Sequence, residues 1–171
     1  TGATAAIVGC GGVGLNALLA ARMVGAERLV AIDLNDRKLE KARQLGASDT
    51  FNATAPKSVE NVRDATSGCL NYVLEAAGSV EAMDTAYQIT KRGGTVTSVG
   101  LSHPETSFSL QQVNLVAEER TVKGCYLGSY VPVGAFLASS GFYKRGLLPV
   151  DQLITGRLLL DRINEGFDRL R

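Results

Sequence analysis

The chain has 171 residues, with 18 Lys plus Arg against 17 Asp plus Glu and a formal net charge of +1. That balance lacks the basic excess on which affinity for nucleic acid or an anionic membrane rests. No apolar run approaches the roughly 18 to 20 residues that span a bilayer, and an apolar fraction of 45% over this length suits one domain, residues 1–171, with a real core.

The opening TGATAAIVGC has no basic start of the secretory kind. Three widely spaced Cys make no disulfide framework, so a cytoplasmic setting is expected. Gly is enriched, at 19 residues, and His occurs once, which is thin for an enzyme that relies on its own acid, base or metal ligands.

Thr4 to Gly9 is a short apolar run ending in glycines and predicts a strand buried on both faces. Gly12 to Gly25 carries Leu15, Leu18, Leu19 and Met23 at helical spacing. Arg28 to Asp33 predicts a second buried strand, and Asp36 to Leu45 an amphipathic helix with Gly46 at its C-terminal cap. Asp49 to Phe51 predicts a third strand, Lys57 to Thr66 a helix, and Leu70 to Glu75 a fourth strand. A helix over Val80 to Thr90, N-capped by Ser79, leads to a fifth strand at Gly94 to Gly100 and a sixth at Thr121 to Tyr126. Helices at Val133 to Arg145 and Asp161 to Arg171 close the chain. The stretch from Ser102 to Glu119 has no readable period.

Strands alternating with helices across short connections predict βαβ units and a parallel sheet. Right-handed crossovers make it a doubly wound, six-stranded sheet of strand order 3-2-1-4-5-6.

The first turn, Gly9-Cys-Gly11-Gly-Val-Gly14, matches G-x-G-x-x-G between a predicted strand and a predicted helix. Gly9 allows the tight turn, Gly11 lets a pyrophosphate approach the backbone, and Gly14 lets the helix lie close to the sheet. The helix N-terminus offers free N–H groups and a positive dipole end to the phosphates. Asp33 ends the second strand, 19 residues after Gly14, where a carboxylate accepts ribose hydroxyls. It also repels a 2′-phosphate, as does Asp36, which predicts NAD rather than NADP. Arg37 pulls the other way. The fold expected is Rossmann-type α/β.

GCGGVGL followed by LVAIDLNDRKLEKARQLGA resembles the cofactor domain of zinc-dependent medium-chain alcohol dehydrogenases. The likeness continues through Val73 to Gly78, Gly93 to Leu101, Glu119 to Ser129, Leu148 to Thr155 and Leu160 to Asp168, in order and over nearly the whole chain. The resemblance implies that Gly9, Gly11, Gly12, Val13 and Gly14 hold the pyrophosphate. It gives Asp33 and Lys38 the adenosine ribose, and Ala76 the adenine and ribose side of the cleft. Val99, Leu101 and Leu127 would offer backbone groups to the nicotinamide carboxamide. It also implies a homodimer through the sixth-strand edge.

The family's catalytic zinc has no visible ligand set. Cys10, Cys69, Cys125 and His103 form no close pair, and zinc needs three or four convergent ligands. No residue of the chain is therefore read as catalytic or metal-binding. The expectation is a fragment: a cofactor domain whose zinc-binding and alcohol- or aldehyde-binding partner domain lies elsewhere. A zinc-free quinone or enoyl reductase, or a stand-alone dinucleotide-binding module, are the alternatives.

Cys10 reads as a small residue that fits its loop, Cys69 and Cys125 as core residues, and His103 as a solvated loop residue. Tyr87-Gln-Ile-Thr-Lys91 has the Tyr-x-x-x-Lys spacing of short-chain dehydrogenases, but in the wrong βα unit. Packing for Tyr87 and a helix C-terminal cation for Lys91 are expected instead.

Overall fold

In a computed structural model, which describes residues 2–68, 70–129 and 131–169, the alternation read from the sequence becomes a six-stranded, all-parallel sheet. The elements are β1 (Thr4–Val8), α1 (Gly12–Met23), β2 (Arg28–Asp33), α2 (Asp36–Gln44), β3 (Asp49–Asn52), α3 (Ser58–Ala65) and β4 (Leu70–Glu75). They continue with α4 (Val80–Ile89), β5 (Thr90–Ser98), α5 (Gln112–Ala117), β6 (Thr121–Gly124), α6 (Pro132–Lys144) and α7 (Ile163–Asp168). The strand order is β3-β2-β1-β4-β5-β6, as expected.

Successive residues of the central strands serve opposite faces. Ala6 and Val8 of β1, with Val30 and Ile32 of β2, join Val62 of α3 and Met83 and Ala86 of α4 in one apolar layer. Ile7 and Ala31, between them in sequence, join Leu15, Leu18 and Leu19 of α1, Leu39 of α2 and Leu45 at its C-cap in the other. The near-continuous apolar runs are thus strands covered on both sides. Because β2 and β4 flank β1 and their helices lie on opposite faces, the chain reverses its winding between β1 and β4. Ligands of open α/β sheets bind at the carboxyl ends of the strands at that switch point.

Three expectations change. Strand five begins at Thr90, directly after α4, not at Gly94. Thr90 pairs with Leu70, and its buried hydroxyl donates to the Ala86 carbonyl at 2.7 Å, which ends the helix and starts the strand in one residue. Lys91 is therefore a strand residue, not a helix C-terminal cation. The unreadable stretch holds α5, and Phe108, Leu110 and Leu115 pack from it against the core. The final helix is shorter than expected: a 3₁₀ turn at Leu160–Arg162 precedes α7. Among the described residues, no helix is long and apolar enough to cross a membrane.

Candidate functional site

The loop after β1 is pinned from both sides. Gly9 donates its N–H to the Ile32 carbonyl at 2.8 Å, and Cys10 donates its N–H to Asp33 Oδ2 at 2.7 Å. Gly9 has φ +96°, and a Cβ there would stand 2.6 Å from the Ala77 nitrogen. Only glycine fits the turn on both counts. A Cβ on Gly14 would stand 1.8 Å from the Gly9 carbonyl oxygen, so α1 rests directly on the loop. Gly11 and Gly12 are different, since a Cβ on either would meet nothing within 4 Å. Their missing side chains leave the approach to the α1 N-terminus open. No side chain caps that end, and no acidic residue stands in its first turn. Its N–H groups and dipole are set for an anion.

Asp33 lines the same cleft from the end of β2. Its Oδ2 takes the Cys10 N–H, its Oδ1 takes the Asn35 N–H at 2.9 Å, and Lys38 Nζ lies 4.0 Å from Oδ2. The carboxylate is held rigidly, yet each oxygen keeps acceptor capacity for a hydroxyl. A cavity of about 510 Å³ runs from the glycine loop along these groups, lined by Gly9, Gly11, Asp33, Lys38 and Ala76. Its volume falls in the range of small-molecule and cofactor sites.

The structure therefore brings those five sequence-derived residues to one cavity. Gly12 and Val13 lie on the exposed first turn of α1, and Gly14 is buried beneath it. Val99, Leu101 and Leu127 lie beyond the carboxyl ends of β5 and β6, outside the cavity lining, and Leu101 and Leu127 are exposed.

Sequence reasoning missed further lining residues: Leu34, Ala53, Ser79, Glu81 and Thr85. It also missed Glu75, the last residue of β4, a carboxylate that is 1% exposed. A charged residue inside a strand of buried type was the available signal.

The remaining candidates are not brought to the site as reactive groups. The Cys10 thiol is buried, and that burial, reinforced by the Asp33 charge, pushes its pKa up to about 12. It is not the thiolate a nucleophile requires. Cys125 sits just past β6 and is half-buried, not a core residue. Cys69 lies outside the described residues. His103 is exposed and organises its own turn, its carbonyl accepting the Thr106 N–H at 2.9 Å. Tyr87 packs edge-to-face on Phe108 at 6.3 Å. Among the described residues, no group of three His, Cys, Asp or Glu side chains could hold a metal ion, so these residues do not fit the zinc that the resemblance implies.

The zinc-binding dehydrogenase family model matches residues 12–139. Alcohol dehydrogenase 2 of Hordeum vulgare is 35% identical over 98% of this chain and 44% of its own length. The crystal structure of benzyl alcohol dehydrogenase from Acinetobacter calcoaceticus superposes with a TM-score of 0.93 at 30% identity, over 99% of this chain and 46% of that one. A Sinorhizobium meliloti 1021 protein classed with the zinc-binding dehydrogenases, and bound to NADP, superposes with a TM-score of 0.84 at 25% identity over 91% of this chain and 45% of that one. The chain spans about half the length of the curated relatives it matches. On the family match, the sequence identity and the shared architecture together, the chain belongs to the zinc-dependent medium-chain alcohol dehydrogenase family.

Proposed function

We propose that this chain is the NAD-binding domain of a zinc-dependent alcohol dehydrogenase and positions nicotinamide for hydride transfer with an alcohol or aldehyde. The observation that carries this reading is Asp33: a fixed carboxylate at the end of β2, lining the same cavity as Gly11 at the uncapped N-terminus of α1. That pairing suits a ribose at the carboxylate and a pyrophosphate at the helix N-terminus.

Gly9, Gly11, Gly12 and Val13 would hold the pyrophosphate, with Gly14 seating α1 beneath it. Asp33 would accept from the adenosine ribose hydroxyls, Lys38 would reach the same sugar, and Ala76 would line the adenine and ribose side. Backbone groups of Val99, Leu101 and Leu127, at the ends of β5 and β6, would meet the nicotinamide carboxamide. When bound, NAD supplies the hydride acceptor, C4 of its nicotinamide. The chain's own part is to bind, orient and exclude water. Zinc would be held by residues outside this chain and would polarise the substrate oxygen. The exposed β6, at the sheet edge, would pair with a second copy.

The NADP-bound relative and the presence of Arg37 favour a second reading, in which NADP is the cofactor. Titrating NADH and NADPH separately, by energy transfer from the five Tyr to the dihydronicotinamide, decides between them. The NAD reading expects NADH to bind at least tenfold tighter. Equal affinities, or preference for NADPH, would overturn it.

A further inference from the structure

We infer that Glu75 is a positioning residue: it ties the loop after β4 to the end of β5 and so shapes the half of the cleft beyond the glycine loop. This inference rests on the dinucleotide reading above.

The carboxylate is buried at the carboxyl end of β4 with both oxygens engaged. Oε1 accepts the N–H groups of Ala77 at 2.8 Å and Gly78 at 2.6 Å, and Oε2 accepts the Ser98 hydroxyl at 3.0 Å. The Glu75 carbonyl also accepts the Val99 N–H at 2.8 Å. One residue thus holds two loops by backbone and side chain together.

The loops are pressed together as a result. A Cβ on Gly100 would stand 2.2 Å from the Gly78 nitrogen and 2.9 Å from Glu75 Oε1, and one on Gly78 would stand 2.8 Å from the Leu101 carbonyl oxygen. Gly9 leans on the same loop through its close approach to Ala77. Glu75 therefore sits where the loops after β1, β4 and β5 converge. A dinucleotide anchored by its adenosine at Asp33 and its pyrophosphate at α1 crosses the switch point toward β4 and β5. The half that lands there is the nicotinamide. Glu75 itself does not touch the nicotinamide. It acts through Ala77, Gly78 and Val99.

The test compares NADH with ADP-ribose, which lacks the nicotinamide, by calorimetric titration of the 171-residue chain. Glu75→Ala leaves two loop N–H groups and a hydroxyl without their acceptor. NADH affinity should fall about tenfold while ADP-ribose changes less than about twofold, the size of one to two lost hydrogen bonds. Glu75→Gln keeps an acceptor for both amides and should restore most of the NADH affinity. If Glu75→Ala fails to fold, Ser98→Ala removes only the side-chain tie to β5 and should lower the NADH to ADP-ribose affinity ratio about threefold. Equal losses of both ligands, or an unchanged ratio in the folded variants, would overturn the inference and leave the dinucleotide reading standing. A wild-type chain that binds neither ligand would overturn both.

Discussion

Asp33, at the end of β2, and Cys10, in the loop after β1, are joined by a 2.7 Å hydrogen bond from the Cys10 N–H to Asp33 Oδ2. The carboxylate read as a ribose acceptor is thus also a structural brace of the phosphate loop. The two roles predict a double effect of one substitution. Asp33→Ala strips the acceptor from the Cys10 and Asn35 N–H groups, and should lower stability by about 1–3 kcal/mol in urea melts. NADH affinity should fall at least about tenfold, and the preference over NADPH should narrow because the repulsion of a 2′-phosphate is gone. Unchanged NADH affinity in a folded Asp33→Ala protein would remove Asp33 from the site.

Two glycines of one motif should respond oppositely to the same methyl group. Gly14→Ala puts a Cβ 1.8 Å from the Gly9 carbonyl oxygen, which is backbone and cannot swing away. It should cost about 1–3 kcal/mol or more of stability, as overpacking does. Gly12→Ala meets nothing within 4 Å and replaces a poor helix former at the first position of α1. Its melting temperature should hold or rise slightly, while NADH affinity drops because the methyl enters the approach to the helix N-terminus. Equal stability losses in both variants would contradict this division of labour.

How legible the site was depends on what kind of pattern each part leaves. The glycine loop and Asp33 were readable because both break an apolar strand at fixed spacing, and the backbone tolerates no substitute at Gly9 or Gly14. Strand order followed from alternating βα units joined by right-handed crossovers. Glu75 left only one trace, a charge inside a strand of buried type. Its partners are backbone N–H groups two and three residues on, plus one hydroxyl from a distant strand, and such bonds impose no period. The helix α5 was hidden because it is six residues long and only Leu115 of it packs against the core, while Val113 and Val116 are exposed. Lys91 was misplaced because a four-residue spacing from Tyr87 suits a helix, whereas tertiary pairing of Thr90 with Leu70 turns the chain into strand.

The Tyr-x-x-x-Lys spacing can be tested against the contacts that Tyr87 does make. Arg120 stacks over its ring at 4.6 Å, donates from Nη1 to the Tyr87 carbonyl at 2.7 Å, and pairs with Glu118 at 3.0 Å. The Arg120 side chain is only 7% exposed. Arg120→Ala should destabilise by about 1–3 kcal/mol, because it removes the hydrogen bond to the Tyr87 carbonyl and the packing on the Tyr87 ring. Lys91→Ala should stay within about 0.5 kcal/mol of wild type in denaturant melts, with NADH affinity unchanged. A loss of cofactor binding in Lys91→Ala would revive a catalytic-pair reading that the fold argues against.

Cys10 gives the chain a pH dependence that can be assigned to one atom. Burial, and next the Asp33 charge, raise its thiol pKa from the ordinary 9.0 to about 12. Between those values the unfolded chain has released a proton that the folded chain still holds. The folded state binds more protons across that window, so stability falls as pH rises through it and is fully present below it. Urea melts at pH 8 and pH 10.5 should therefore show a steeper loss for wild type than for Cys10→Ala, which carries no titrating group there. The same burial predicts that a thiol reagent at pH 8 labels half-buried Cys125 well before Cys10 in the native protein. Rapid native labelling of Cys10, or an identical alkaline slope in Cys10→Ala, would show that the loop opens to solvent.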